Sequence, residues 1–311
     1  MQIISIMIPC WNEHENIRAI TEAVRNEIRK SLPEYDYEIV IIDNKSTDGT
    51  REIIRELCRV DPKVRAIFNL INFGQFNSPY YGLTQCTGDC VIPICADFQD
   101  PVEMIPVMVR KWEEGNKVIC MVKSRSEESK LMYFLREIYY SLIKQMSSVQ
   151  QIKQFTGFGL YDQNFISVLR DLKDSLPFIR GIVAEYAPDH LEIEYTQLKR
   201  RAGKTHNNFL SLFDAAMLSF TRYTNGLRIA TFMGFIVAGG SFIIGIIYFI
   251  MKLVNWNEFS AGIAPVMIAL FFLGGVQLTF LGFLGEYIMS MNKRVIDKPL
   301  VIIEEKINFD K

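Results

Sequence analysis

Five short runs of apolar, largely β-branched residues recur through the first part of the chain, at residues 3–8, 38–42, 64–68, 90–94 and 117–122. Between them, residues 16–30, 50–60, 75–86 and 102–114 place apolar side chains three and four apart, the spacing of one helix face. Strands that read as near-continuous apolar runs need cover on both faces, and regular alternation with helices supplies it by building a mostly parallel sheet between two helical layers. The predicted fold class is therefore α/β, Rossmann-like, over residues 1–205. Ligands of such sheets bind beyond the carboxyl ends of the strands. The three most polar strand exits are residues 9–13 (Pro-Cys-Trp-Asn-Glu), 43–49 (Asp-Asn-Lys-Ser-Thr-Asp-Gly) and 96–100 (Ala-Asp-Phe-Gln-Asp), and they are expected to meet in one crevice.

After residue 205 the pattern changes. Within residues 206–226, Phe209, Phe213, Ala216, Met217 and Phe220 recur at helical spacing and predict a juxtamembrane amphipathic helix lying along a lipid bilayer. Residues 227–290 hold two uncharged stretches, 229–251 and 259–285. The shorter one reaches about 35 Å as a helix, enough to cross the hydrocarbon core. Arg222 and Arg228 precede the first stretch, and Lys293, Arg294 and Lys298 follow the second, whereas the connection between them offers only Lys252 and Glu258. Positive charge stays on the cytoplasmic side, so the sequence predicts a multi-pass protein of the cytoplasmic membrane with the α/β domain and both termini in the cytoplasm. Residues 291–311 form a tail in which residues 300–303 read as a strand, returning to the domain or pairing with another subunit.

Charge narrows the partners. Lys and Arg number 34 against 35 Asp and Glu, so no bulk field favours nucleic acid, and anions must be met by local clusters. The six Cys all lie in the first 120 residues, mostly inside apolar runs, which suits buried thiols in a reducing compartment. Cys86, Cys90 and Cys95 lack the paired C-x-x-C spacing of a zinc site. Residues 1–11 are apolar but have no basic leader or cleavage site, and they read as a first strand.

No G-x-G-x-x-G follows the first strand and no G-x-x-x-x-G-K-[ST] occurs, which disfavours a dinucleotide-dependent dehydrogenase and a P-loop nucleotidase. A diphosphate bound here must be met by a metal and by Arg or Lys. Several polar residues at the exits also have ordinary structural readings: Asn12 or Asn16 as a cap for the first helix, Asp48 for the second, and Asp100 before Pro101 as a third. Asp97 sits too far inside its loop for that.

The stretches Ile8-Pro9-Cys10-Trp11-Asn12-Glu13, Asp43 with Ser46-Thr47-Asp48-Gly49-Thr50, Asn72-Phe73-Gly74, Gly88-Asp89 and Ala96-Asp97-Phe98-Gln99-Asp100-Pro101 resemble glycosyltransferase family 2. Arg180-Gly181, Arg200-Arg201-Ala202-Gly203 and residues 281–287 (Leu-Gly-Phe-Leu-Gly-Glu-Tyr) are similar to it as well, and with the two uncharged stretches they point to its polyprenyl-phosphate glycosyltransferases. The resemblance implies a GT-A fold and an inverting, metal-dependent hexosyl transfer from a nucleotide-sugar, a UDP-hexose, to polyprenyl (undecaprenyl) phosphate. It places Asp97 on Mg²⁺ or Mn²⁺ with Gln99 as a second ligand, Asp43 with Asn44 at the nucleotide base, and Pro9, Trp11 and Glu13 around base and ribose. It assigns Arg125 and Arg136 to the acceptor phosphate, and Arg200, Arg201 and Lys204 to the donor diphosphate. Asp162, the last residue of a family element that reads Thr156-Gly157-Phe158-Gly159-Leu160-Tyr161-Asp162, is a catalytic candidate that could equally cap the next helix. By family analogy the protein forms a homo-oligomer.

Three positions depart from the family pattern. Cys95 stands for the first Asp of D-x-D, Asn44 for the second Asp of D-D, and Gly157 for the first carboxylate of the later element. Two other functions therefore stand beside the leading one: transfer to a different lipid or glycan, and a degenerate transferase retained as a membrane scaffold.

Overall fold

A computed structural model describes residues 1–124, 152–172, 174–203, 263–295 and 298–309, with isolated positions between 217 and 254. The first part alternates as its apolar pattern requires: β1 (Ile3–Cys10), α1 (Ile17–Ser31), β2 (Asp36–Asp43), α2 (Thr50–Val60), β3 (Val64–Asn69), α3 (Gly74–Thr84), β4 (Cys90–Pro93), α4 (Met104–Glu113) and β5 (Val118–Lys123). There follow β6 (Phe155–Asp162), α5 (Gln163–Leu172), α6 (Ile179–Tyr186), β7 (Leu191–Tyr195), α7 (Ile263–Val295) and β8 (Ile303–Ile307).

The eight strands form one sheet in the order β7-β5-β6-β4-β1-β2-β3-β8. Most neighbours run parallel, and β6 and β8 are the antiparallel members. This is the α/β arrangement that the alternation of runs led us to expect, and it agrees with the GT-A fold that the resemblance implies. Successive side chains of β1 point to opposite faces, so Ile4, Ile6 and Ile8 join one core cluster while Met7 joins the other. Helix α1 closes the first cluster with Ile17, Ile20, Val24 and Ile28, all within 1% of complete burial. At roughly 1.5–3 kcal/mol per buried aliphatic side chain, such faces hold the helices to the sheet.

The tail does return to the domain. Its strand lies three residues later than expected, at Ile303–Ile307, and pairs antiparallel with β3. Of the two uncharged stretches, the second lies in α7, whose segment Phe272–Asn292 is long and apolar enough to cross a membrane. Leu278, Leu281 and Ile288 on it are more than 60% exposed, an apolar surface of the kind lipid covers. The described positions of the first stretch, among them Ile236, Ile243 and Ile247, are helical. Its other residues, and residues 206–226 apart from Met217, lie outside the described residues.

Three expected caps are different in the structure. Asn16 makes no side-chain cap on α1. Helix α4 begins at Met104, after Glu103, and Asp100 instead accepts the Cys95 amide at 3.1 Å and the Tyr195 hydroxyl at 3.3 Å. On α2 the cap position is Gly49, and Asp48, one residue earlier, accepts the Thr50 amide at 3.1 Å. Which amide a short acceptor reaches depends on the neighbouring strand exits, and these are distant in sequence.

Candidate active site

The three polar exits converge. The first two are laced together: the Asn12 amide donates to Ser46 Oγ at 2.8 Å, Asn12 Oδ1 accepts from the Thr47 amide at 2.8 Å, and the Glu13 and His14 amides donate to Thr50 Oγ1 and Asp48 Oδ2. Asn12, Lys45 and Phe98, one in each exit, have positive φ (55°, 66° and 62°). Non-glycine residues hold that conformation only where their surroundings over-determine it, and such strain collects at functional loops.

A fourth segment, after β7, closes on the third exit. The Leu198 and Arg201 amides donate to the carbonyls of Gln99 and Asp97, both at 3.1 Å, and the Arg201 guanidinium lies 5.0 Å from the Phe98 ring centre. Arg200 makes the decisive contact. Its guanidinium meets Asp97 Oδ2 at 3.3 Å and also pairs with Glu13 Oε1, while Glu13 Oε2 accepts from Asn16 Nδ2 at 2.7 Å. The other Asp97 oxygen accepts the Gln99 amide at 3.1 Å. Asp97 and Glu13 are both below 10% exposed, so two buried carboxylates share one cation. An unpaired buried carboxylate is strongly disfavoured, and the pocket therefore demands positive charge.

Asp43 ends β2 beside Cys10 of β1 and is fully shut from solvent. Both of its oxygens face the Ser46 amide, at 3.3 and 3.2 Å, and Oδ2 lies 3.1 Å from Arg51 Nε. Burial raises its pKa, against the lowering effect of Ser46 and Arg51. Placed this way, Asp43 orders the exit loop. Asn44 is likewise committed. Its Nδ2 donates to Asn72 Oδ1 (2.8 Å) and the Gly74 carbonyl (3.2 Å), and its Oδ1 accepts from the Phe73 amide (2.9 Å) and Asn69 Nδ2 (3.2 Å). A carboxylate could accept the latter two bonds but could not donate the former two, which accounts physically for amide in place of acid at this position. Asn44→Asp is expected to lower stability by about 2 kcal/mol, through two acceptors left facing a charge. Thermal unfolding of the purified protein measures it.

A cavity of about 360 Å³ adjoins the third exit, lined among others by Pro9, Phe76, Gln99, Lys123, Phe178 and Arg180. Lys123 and the aromatic pair Phe76 and Phe178 (ring centres 5.8 Å apart) were not anticipated from the sequence. Applying the strand-exit rule to β5 as well would have found Lys123, its last residue. Arg180, matched to the family without a role, lies here too. Trp11 is half-buried at the β1 exit. Arg125, Arg136 and Lys204 lie outside the described residues.

Asp162 is not brought to this site. It pairs with Cys90, where β4 begins, whereas Asp97 follows the end of β4. There it accepts from the Asn164 amide (3.0 Å), the Trp112 indole (2.8 Å) and Lys117 (3.2 Å), serving the start of α5. Burial alone would raise its pKa, but these donors hold it below the ordinary carboxylate value. Its contribution to stability is thus present above the unfolded pKa and lost as pH falls through the lower folded one.

Residues 5–171 match the profile of glycosyl transferase family 2. The SfII prophage-derived bactoprenol glucosyl transferase of Shigella flexneri is 33% identical over 304 residues, covering 97% of each chain. The prophage bactoprenol glucosyl transferase homolog of Escherichia coli K12 is 31% identical over 97% of this chain and 98% of that one. Among solved structures, mannosyl-3-phosphoglycerate synthase from Rubrobacter xylanophilus aligns with a TM-score of 0.48 at 15% identity, over 70% of this chain and 71% of that one, too loosely to carry any residue across. With strand exits of this geometry, a profile match over more than half of its length and relatives matched from end to end, the chain belongs to glycosyltransferase family 2.

Proposed function

We propose that the protein transfers a hexose, with inversion, from a nucleotide-sugar to polyprenyl phosphate at the cytoplasmic face of a membrane. The observation that carries this reading is the convergence of Asp97 and Glu13 on a single guanidinium at the carboxyl ends of the central strands, next to a cavity large enough for a hexosyl group. Full-length relatives named as bactoprenol glucosyl transferases support the acceptor, and the apolar helix Phe272–Asn292 supports a lipid one.

The donor set suits Mg²⁺ or Mn²⁺. Asp97 and Gln99 offer hard oxygens, and no cluster of three or more His, Cys, Asp or Glu forms a closed cage among the described residues. Cations of this kind use few protein ligands and complete their shell with water and phosphate. When bound at Asp97, such an ion would neutralise the diphosphate that leaves as the sugar bond breaks. Arg200, tethered beside it, and Arg201, steadied on Phe98, are placed to meet the same phosphates. The laced loops of the first two exits, with Trp11 and Glu13, take the nucleotide, and the cavity beside Gln99 takes the hexose. Arg125 and Arg136 are assigned to the acceptor phosphate.

A phosphate monoester has its second pKa near 6 and is already an anionic nucleophile at neutral pH, so positioning replaces a strong general base. In this scheme residues 1–205 form the catalytic body, 206–226 lie on the membrane, 227–290 cross it twice and 291–311 return. The test is incubation of the full-length protein in detergent with labelled nucleotide-sugars, undecaprenyl phosphate and MnCl₂. The expected product is one acid-labile lipid-linked sugar. Failure of every donor to label the lipid would overturn the proposal.

A further inference from the structure

The strand that follows the membrane helix reaches back to the nucleotide side of the site. On β8, Ile303 pairs with Asn69 and Glu305 with Phe68, and the register shifts between these pairs, so Glu304 has no partner residue on β3. Consecutive residues of a regular strand point to opposite faces, but an extra residue re-aims the chain, and bulges of this kind are common beside active sites. Here the bulge lets Glu304 and Glu305 both reach α2. Glu305 Oε2 meets Arg55 at 2.8 Å. Glu304 Oε2 meets two cations, Lys45 at 2.9 Å and Arg51 at 3.1 Å.

Those two cations flank the β2 exit. Arg51 passes 4.9 Å from the Phe68 ring centre and forms an ion pair with Asp43, Nε lying 3.1 Å from Oδ2, with its side chain 11% exposed. Lys45 is one of the three positive-φ residues of the exits, and its side chain is 38% exposed. Glu304 therefore ties both ends of the loop that Asp43 orders from within.

We propose that Glu304 is a positioning residue of the donor site, acting through Lys45, Arg51 and Asp43 on the shape of loop 44–48. It touches no substrate. The inference rests on the nucleotide-sugar reading above, and it makes the chain beyond the membrane helix a working part of the donor pocket.

The experiment compares Glu304→Gln, Glu305→Gln and Asp43→Asn in the full-length protein, measuring donor KM, kcat and thermal stability. Glu304→Gln is expected to raise donor KM about tenfold with kcat within about twofold, the signature of lost ground-state binding. Glu305→Gln removes a charge from the same strand, but Arg55 does not contact Asp43, so its donor KM stays at the parent value. A role confined to docking β8 predicts equal effects of the two substitutions, and that result would overturn the proposal. So would a raised donor KM in Asp43→Asn together with an unchanged one in Glu304→Gln. If Asp43→Asn also leaves donor KM unchanged, the nucleotide assignment of this loop has failed, and the inference falls with it. Arg51→Lys provides a second variant: it keeps the charge but loses the fork that spans Glu304 and Asp43, and it is expected to raise donor KM as well.

Discussion

Asp97→Asn is expected to slow sugar transfer by about 10²–10³-fold, the scale of losing one preorganised group that stabilises charge in the transition state. The substitution is nearly isosteric. The amide oxygen can still accept the Gln99 amide, and Arg200 keeps Glu13, so the fold is little affected. What disappears is the negative charge that would hold a divalent cation against the donor diphosphate. Calorimetry should accordingly show weaker Mn²⁺-dependent donor binding alongside the rate loss. Transfer within tenfold of the parent, at matched Mn²⁺, would remove Asp97 from the reaction.

The largest expected effect on stability lies at Gly159. A Cβ built there would stand 2.1 Å from the Ile119 carbonyl oxygen, a backbone atom of the adjoining strand that cannot swing aside. Relief requires β6 to part from β5, and with it the pairing that links β7 and β5 to the rest of the sheet. Gly159→Ala should therefore cost about 4 kcal/mol or more, the range reserved for core clashes and broken networks. A thermal scan of the purified variant, or its failure to accumulate folded, is the measurement. A change below about 1 kcal/mol would mean that the strands separate more easily than their spacing implies.

The same strand explains a departure that the sequence displays only as a loss. Gly157 stands where the family has a carboxylate, and its φ of +103° belongs to glycine, with Ile179 Cγ2 3.2 Å from a would-be Cβ. Restoring an acid there would strain the backbone before it restored any chemistry. Asn44 is a parallel case: its two donated bonds to Asn72 and Gly74 make the amide the fitting group. The two departures are thus adapted to their local backbones, and they count less towards a degenerate scaffold than their residue types suggest.

Much of the site was legible because it depends on local pattern. Apolar runs with helical periods between them dictate a parallel sheet, the sheet dictates where its polar exits gather, and Asp97, Gln99, Glu13 and Asp43 follow from that rule and the family resemblance. Strands β6 and β7 were harder to read. Glycine interrupts the first, and the second is five residues of alternating Leu-Glu-Ile-Glu-Tyr. Lys123, the last residue of β5, belongs to no motif of its own.

Other assignments could be made only by the folded chain. Asn16 and Asp100 read as caps, yet Asn16 braces Glu13 and Asp100 ties Cys95 to Tyr195. Asp162 read as a candidate for the site, and antiparallel pairing set it at the opposite end of β4. Glu304 carried no signal at all, since it meets Arg51 across 253 positions of sequence and owes its direction to a bulge. The order of apolar and polar residues determines which elements form and which of their ends are polar, because burial acts on each segment's own periodicity. Which of those polar groups meet is decided by strand order, register and crossing, because a hydrogen bond or ion pair forms only between groups that the completed sheet brings within about 3 Å.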